Sequence, residues 1–108
     1  MFNKYAVNVV QANDLLAAGT TLVDVRTKAE WQTSHVPGSV RVSLDSIQHR
    51  RGALARQYAG SEVLVICRSG NRSSRAAAMF RDMGVNAVNV RGGINAWTRK
   101  QLPLNKGR

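Results

Sequence analysis

The sequence contains a single cysteine, Cys67, among its 108 residues. An internal disulfide is therefore excluded, and so is a redox relay between two thiols of this chain. No stretch approaches the run of about 20 apolar residues that a membrane-spanning helix needs, and the first residues lack the apolar core of a signal peptide. From these absences we expect a soluble, cytoplasmic protein that does not bind membranes.

Acidic residues are scarce as well, since six Asp and Glu stand against sixteen Lys and Arg, for a formal net charge of +10. This charge favours anionic partners, namely a small anion, an acidic protein face or nucleic acid. Nucleic acid is the weakest of the three because the basic residues are scattered, aromatic residues make up only 6% of the chain, and no zinc-finger, RNA-recognition or basic-zipper pattern is present. We therefore predict no nucleic-acid partner.

The length and patterning predict one α/β domain over residues 1–108. Short apolar or β-branched segments alternate with helical ones, which indicates a mostly parallel sheet with helices on both faces. The predicted strands lie in YAVNV, TTLVDVR, SHVPGSVRVSL, EVLVIC and NAVNV. The predicted helices lie in NVVQANDLLAAG, a short segment that TKAE opens and that carries Trp31, DSIQHRRGALARQYAG, SSRAAAMFRDM and GGINAWTRK.

Capping residues set the expected helix boundaries. Asn8 with Gln11, and Thr27 with Glu30, have the spacing of a capping box, in which two side chains satisfy the first free N–H groups of a helix. Asp45 is expected to cap the helix that follows it. Glycines are predicted to close three helices, at Gly19, Gly60 and Gly84.

The stretch VLVICRSGNRSSRAAAMFRDMG places Cys67 at the carboxyl end of an apolar strand, directly before a basic loop. Ligand sites in parallel sheets lie beyond the carboxyl ends of the strands. The helix that begins at about Ser73 directs its free N–H groups at this loop, and Gly70 allows a turn that faces successive N–H groups inward. Arg68 and Arg72 add positive charge. Because such surroundings lower the pKa of a thiol, we predict a reactive thiolate whose attached group is anionic.

Two chemistries use a cysteine in a cradle of this kind, phosphate-ester hydrolysis and sulfur transfer. Cysteine phosphatases use C-x5-R, whereas Cys67 and Arg72 are spaced as C-x4-R and Ser73 occupies the phosphatase position. The shorter loop makes a tighter cradle, which suits one sulfur atom better than a phosphoryl group, and the loop has no obvious general-acid aspartate. The plain alternative is that Cys67 is a small buried hydrophobic residue.

Three segments of the chain resemble the rhodanese family of sulfurtransferases, in the family's order. LVDVRTKAEWQTSHVPGSVRVSL resembles the Asp-x-Arg, Glu-aromatic and His-Ile-Pro-Gly-Ala segments, VLVICRSGNRSSRAA the active-site loop, and VNVRGGINAW the terminal Gly-Gly…Trp signature. The family's fold, a parallel sheet of about five strands between helices, agrees with the pattern above. Minor departures from the family's usual residues lie outside the loop, at Ser34, Val36 and Ser39.

By this resemblance Cys67 is the nucleophile of a thiosulfate sulfurtransferase. Its thiolate would take the outer sulfur of a small anionic donor such as thiosulfate, release sulfite, and pass the persulfide sulfur to cyanide, a small thiol or a protein acceptor. The loop N–H groups would hold the persulfide, and Arg68 and Arg72 would attract the donor. The implied substrate-binding residues are Arg68, Ser69, Gly70, Asn71 and Arg72. The alternative is a persulfide carrier, loaded and unloaded by partner proteins, with little activity on free thiosulfate. We expect a monomer.

The other matched positions are expected to be structural. His35 is predicted to brace the HVPG turn, and because His35, His49 and Cys67 lack metal-ligand spacing we predict no metal and no cofactor. Gly92 and Gly93 are predicted to let a loop pass close to the active site. The remaining positions are assigned to a polar network, comprising Asp24, Arg26 and Glu30, and to packing, comprising Trp31 and Trp97.

Overall fold

The computed structural model describes residues 4–106. Within this range the strands are β1 (Ala6–Val7), β2 (Thr21–Asp24), β3 (Ser34–His35), β4 (Val40–Arg41), β5 (Glu62–Ile66), β6 (Asn86–Val90) and β7 (Asn105–Lys106). The helices are α1 (Val9–Ala17), α2 (Lys28–Thr33), α3 (Leu44–Ile47), α4 (Arg51–Gln57), α5 (Asn71–Asp82) and α6 (Gly93–Arg99). None of these helices is long and apolar enough to span a bilayer.

Five strands form one parallel sheet in the order β1-β6-β5-β2-β4, and β3 pairs with β7 in a separate antiparallel ribbon. The predicted α/β class and the predicted parallel sheet of about five strands are therefore confirmed. β5 lies at the centre, where Val65 is aligned with Val23 of β2 on one side and with Asn89 of β6 on the other. The apolar run EVLVIC occupies this place because a central strand of a parallel sheet is covered on both faces.

The core is divided by the sheet into two layers. Alternate residues of a strand point to opposite faces, so Val63 and Val65 pack with α3, α4 and α5, whereas Leu64 and Ile66 pack with α1 and α6. Helices thus cover both faces, as the sequence predicted. One large aromatic side chain is fully buried in each layer, Phe80 in the first and Trp97 in the second.

Both predicted capping boxes are present. The Gln11 N–H donates to Asn8 Oδ1 at 2.8 Å, and the Asn8 N–H donates back to Gln11 Oε1 at 2.9 Å. At α2 the Glu30 N–H donates to Thr27 Oγ1 at 3.2 Å, and the Thr27 N–H donates to Glu30 Oε1 at 3.0 Å. These local contacts explain why α1 and α2 begin where the sequence indicated.

Two helix boundaries differ from the prediction. The segment predicted as one helix capped by Asp45 forms two short helices, and Ser43 occupies the N-cap position. The entry to α3 is set by the sheet, because the Leu44 N–H donates to Val25 O at 3.1 Å. α5 begins at Asn71, two residues before the predicted Ser73, because the chain already turns at Gly70.

Candidate active site

Cys67 directly follows β5 at the carboxyl edge of the sheet, and none of its surface is exposed. Because β5 is hydrogen-bonded to a strand on each side, the position of Cys67 is fixed by the sheet. The chain then reverses at Gly70, whose φ of 107° lies in the left-handed region that favours glycine. α5 starts at the next residue, so the loop closes around the sulfur.

Hydrogen-bond donors converge on the Cys67 sulfur. The Gly70 N–H donates to Sγ at 3.1 Å, and the Ser73 hydroxyl oxygen lies 3.2 Å from Sγ. No side chain caps α5; its first N–H groups are therefore available to a group in the loop. This is the inward-facing cradle predicted from the sequence.

These donors control the ionisation of the thiol. Burial raises the pKa of Cys67, but the hydrogen bonds from the Ser73 side chain and from the main-chain N–H groups of Ser73, Gly70 and Ser69 together lower the pKa below its ordinary value. Hydrogen bonds to the charged form favour that form. The cradle therefore stabilises a thiolate, and it does so mainly through neutral donors rather than through the arginine charges.

Arg72 is held by Glu30 across the site. Its Nη1 and Nη2 donate to Glu30 Oε1 and Oε2 at 2.7 Å and 2.8 Å, a paired geometry that fixes both side chains. The bond to Arg72 is the largest influence on Glu30 and, with the capping bonds from Thr27, lowers its pKa to about 2, although partial burial opposes the shift. Arg72 therefore ties the first turn of α5, where the Cys67 loop ends, to α2, and its charge is matched by a carboxylate.

Arg68 is placed differently. Its side chain is exposed and borders a cleft of about 280 Å³ beside the loop. Among residues 4–106 its guanidinium has no hydrogen-bond acceptor and no carboxylate partner. Of the two loop arginines, Arg68 is thus the one with an unmatched charge. Ser69 and Asn71 are also exposed.

A buried ion pair supports the neighbouring strand end. Arg26 donates to Asp24 at 2.8 Å, and its Nη2 also donates to the Ser34 carbonyl oxygen at 2.6 Å. His35 stacks on Trp31, with ring centroids 3.8 Å apart, and its Nδ1 lies 2.9 Å from the Trp31 carbonyl oxygen. Asp24 and Arg26 pair as expected, but Glu30 joins them only through its main-chain oxygen, 3.5 Å from Arg26 Nη1, because its carboxylate holds Arg72. His35 links β3 to α2 rather than bracing the HVPG turn through its ring.

The start of α6 passes close to the cysteine, as predicted for Gly92 and Gly93. The Ile94 N–H donates to the Cys67 carbonyl oxygen at 2.9 Å, and the Asn95 N–H donates to that of Arg68 at 3.0 Å. Gly93 has a φ of +54°, and a Cβ at this position would collide with the same two carbonyl groups. A glycine is required there because the two backbones are in direct contact.

The Rhodanese-like domain family model matches residues 8–100. The chain belongs to the rhodanese-like domain family. Among its relatives, a sulfurtransferase of Allochromatium vinosum is 37% identical over 84 residues, which cover 77% of this chain and 76% of that protein. YrkF of Bacillus subtilis, provisionally named a sulfur carrier protein, is 35% identical over 80 residues, which cover 73% of this chain and 42% of YrkF.

Solved structures agree with this assignment. The crystal structure of a rhodanese-related protein from Thermoplasma volcanium superposes with a TM-score of 0.82 at 27% identity, covering 93% of this chain and 96% of that chain. The named relatives place the chain in a family of sulfurtransferases. Within residues 4–106 of this rhodanese-like domain, no group of three or more His, Cys, Asp or Glu side chains is placed to hold a metal ion.

Two residues of this rhodanese-like domain site were missing from the sequence prediction. From the sequence, Ser73 is expected to begin the helix and to occupy the phosphatase arginine position, with no role at the sulfur. Its hydroxyl nevertheless contacts Sγ, and its place in the first turn of α5 is the signal that would have indicated this contact. Asn89 bonds Ser73 from β6, which is separate in sequence from the loop. No local pattern could indicate Asn89, because the pairing of β5 with β6 brings it to the site.

Proposed function

We propose that this protein is a sulfurtransferase that takes sulfur from thiosulfate or a similar donor through a persulfide on Cys67. The observation that carries the proposal is the set of donors around Sγ, with the Gly70 N–H at 3.1 Å and the Ser73 hydroxyl at 3.2 Å. Such a set stabilises the attacking thiolate and a negatively charged sulfur bound in its place. The sulfurtransferase named among the relatives supports the reaction class.

In the first half-reaction the Cys67 thiolate attacks the outer sulfur of thiosulfate. A new S–S bond forms between Sγ and the outer sulfur, while the bond between the outer sulfur and the sulfonate sulfur breaks. Sulfite leaves with the bonding electron pair, and no oxidant or reductant is consumed. The N–H groups of Ser69 and Gly70, together with the start of α5, offer hydrogen bonds to the terminal sulfur of the resulting persulfide.

In the second half-reaction a nucleophile attacks the terminal sulfur of the persulfide. The bond between Sγ and that sulfur breaks, and Cys67 leaves as the thiolate that started the cycle. Cyanide gives thiocyanate, and a small thiol or a protein thiol gives its own persulfide. Because the enzyme alternates between two covalent states, its kinetics follow a ping-pong scheme.

The two loop arginines take separate roles in this proposal. Arg68 borders the open cleft with an unmatched charge, so it attracts the anionic donor. Arg72 is paired with Glu30 on both guanidinium nitrogens, so it mainly fixes the shape of the loop. This pairing also argues against phosphate-ester hydrolysis, in which the loop arginine grips the phosphate.

The test is direct because Cys67 is the single thiol of the chain. Reduced protein exposed to thiosulfate is expected to gain one sulfur atom by intact-mass measurement, and cyanide or dithiothreitol should remove it. Thiocyanate should form on turnover with cyanide. The Cys67→Ser variant should show neither result, because a serine hydroxyl is not ionised at neutral pH. An unchanged mass of the reduced wild-type protein with several sulfane-sulfur donors would refute the proposal.

A persulfide carrier is the second candidate, favoured by the sulfur-carrier name of YrkF. In that case a partner protein supplies the sulfur, and the exposed cations around the loop favour an acidic partner surface. Loading by thiosulfate that is far slower than turnover with a persulfide-bearing protein would select this function. Since either role needs a free thiol, we propose that the protein works in a reducing, cytoplasmic compartment. We also propose that it is a monomer.

A further inference from the structure

The Ser73 hydroxyl lies between two groups that both accept hydrogen bonds. Ser73 is fully buried in the first turn of α5. Its Oγ lies 3.2 Å from Cys67 Sγ and 2.5 Å from Asn89 Oδ1. A serine hydroxyl has one proton to donate and two lone pairs that accept. With the Asn89 oxygen facing it, the hydroxyl cannot donate to both neighbours at once.

The proton count is satisfied when Cys67 is a neutral thiol. The S–H group then donates to Ser73 Oγ, and the Ser73 hydroxyl donates to Asn89 Oδ1. Once the thiol proton has passed to solvent, Sγ only accepts. The Ser73 proton is then needed at sulfur, and the Asn89 oxygen loses its donor. An asparagine resolves this conflict, because its amide carries an acceptor and a donor related by a half-turn.

We propose that Asn89 is a positioning residue. While Cys67 is a thiol, the side-chain amide of Asn89 accepts a hydrogen bond from Ser73. When Cys67 is a thiolate or persulfide, the amide turns and donates to Ser73 Oγ, so that the Ser73 proton is committed to sulfur. Asn89 does not touch the reacting atoms and acts through Ser73. The inference deepens the proposed function, and it rests on that function for its catalytic consequence.

The backbone around Asn89 confines this change to the side chain. Its strand lies between β1 and β5, and its own N–H donates to the Tyr5 carbonyl oxygen at 2.8 Å. The amide nitrogen Nδ2 has no acceptor among residues 4–106. The half-turn therefore breaks only the bond to Ser73 and replaces it with a bond to the same atom.

The charged groups near the sulfur remain the same in the variants that test this proposal. They are Arg68 and Arg72 of the loop, Glu30 of α2, which pairs with Arg72, and the buried pair formed by Asp24 and Arg26. The Cys67 and Asp24 charges both act on Arg72. A change in thiol ionisation on substitution of Asn89 is therefore attributable to the path through Ser73 or to the charge introduced.

The experiment measures the rate of Cys67 alkylation by iodoacetamide against pH, which follows the thiolate and needs no sulfur donor. Asn89→Asp has the shape of asparagine but only accepts, so it holds the Ser73 proton away from sulfur. We expect its midpoint to rise by about one pH unit, a tenfold loss of thiolate at pH values below the midpoint. Asn86→Asp, which adds the same charge at the exposed start of β6, should leave the midpoint within a few tenths of a unit.

The Ser73→Ala background separates the hydrogen-bond path from the charge. If Asn89 acts through Ser73, Asn89→Asp should shift the midpoint much less in this background than in the wild type. An equal shift in the two backgrounds would show that Asn89 acts by charge or by packing, and it would overturn the proposal.

Nuclear magnetic resonance of the wild type provides a test that needs no variant to fold. The side-chain amide signals of Asn89 should titrate with the same midpoint as the alkylation rate. Signals that stay constant through that midpoint would overturn the proposal. Because neither measurement uses thiosulfate, sulfur loading can fail while the Asn89 result stands, and the two failures are distinguishable.

Discussion

Two loops leave the central strands at the same edge of the sheet, and their helices begin in opposite ways. The loop after β2 enters α2 through a complete capping box, in which the side chains of Thr27 and Glu30 accept hydrogen bonds from two of the first N–H groups. The loop after β5 enters α5 through Gly70, which has no side chain to offer, and the free donors face the Cys67 sulfur. The start of α5 therefore keeps N–H groups free of any side-chain cap, beside the sulfur.

Glu30 joins these two loops. Its carboxylate completes the cap of α2 and also holds Arg72 of the Cys67 loop. The loop after β2, whose helix is capped, therefore supports the loop after β5, whose helix is not capped. The loop after β5 is also held from the other side by hydrogen bonds between its carbonyl groups and the start of α6.

The largest expected effect comes from adding a side chain at Gly93, where α6 contacts the loop after β5. Gly93→Ala would place a methyl group against the carbonyls of Cys67 and Arg68 at a φ of +54°. We expect a loss of about 3 kcal/mol of unfolding free energy, combining the left-handed backbone with the steric clash, together with loss of sulfur loading. Chemical denaturation measures the first and intact mass the second.

Gly84→Ala is the matched control for this change. Gly84 has a φ of +88° but nothing within 4 Å of an added Cβ, so only the backbone cost of about 1–2 kcal/mol applies. Sulfur loading should be unaffected. Equal destabilisation by the two substitutions would contradict the close contact at Gly93.

The next prediction distinguishes the role of Arg68 from that of Arg72. Arg68→Ala should lower kcat/KM for thiosulfate about tenfold, which corresponds to about 1.4 kcal/mol, and should weaken the dependence on salt, since exposed charges are screened. Arg72→Ala should slow both half-reactions together, because it releases the loop from Glu30, and should leave the salt dependence of the wild type. Single-turnover rates of the two half-reactions at low and high ionic strength distinguish these outcomes. If only Arg72→Ala lost the salt dependence, the roles assigned to Arg68 and Arg72 would have to be exchanged.

The two capping boxes should have similar effects on stability but different effects on the site. Asn8→Ala and Thr27→Ala are each expected to lower the unfolding free energy by about 1 kcal/mol. Thr27 also bonds the Glu30 carboxylate that holds Arg72, so only Thr27→Ala should slow sulfur loading slightly. The denaturation midpoint and the loading rate of both variants test this. Slower loading in folded Asn8→Ala would contradict this prediction, because Asn8 caps α1 and has no bond to Glu30 or Arg72.

The smallest effect is a pH dependence carried by Glu30. Its pKa of about 2 lies below the ordinary 4.5, so the pairing stabilises the fold above pH 4.5, and this stabilisation is lost as the pH falls towards 2. Glu30→Gln keeps an acceptor for the cap but removes the charge. It should cost at most about 1 kcal/mol at pH 7, because the pair is partly exposed. The difference from the wild type should vanish at low pH, as measured by denaturation at several pH values. A constant difference would assign the effect to packing.

Contacts between residues close in the chain could be predicted from the sequence by itself. The boxes at Asn8 and Thr27 are encoded over three residues, and the apolar run before Cys67 predicts a central strand with a reactive edge. The turn at Gly70 in the Cys67 loop could be predicted from the conformational freedom of glycine, whereas the Gly92–Gly93 segment was linked to the site by its resemblance to the rhodanese family. The parallel sheet follows from the alternation of strands and helices.

The tertiary structure alone decided which side chains meet. Glu30 lies 42 residues from Arg72, and Ser73 lies 16 residues from Asn89. Such pairs depend on the register of the sheet, and a shift of one residue would point Asn89 to the opposite face. The start of α3 at Leu44 depends on the edge of β2 in the same way. Local sequence patterns predict whether a segment forms a helix or a strand. The hydrogen-bond partners of its polar side chains depend on where the sheet places each segment relative to the others.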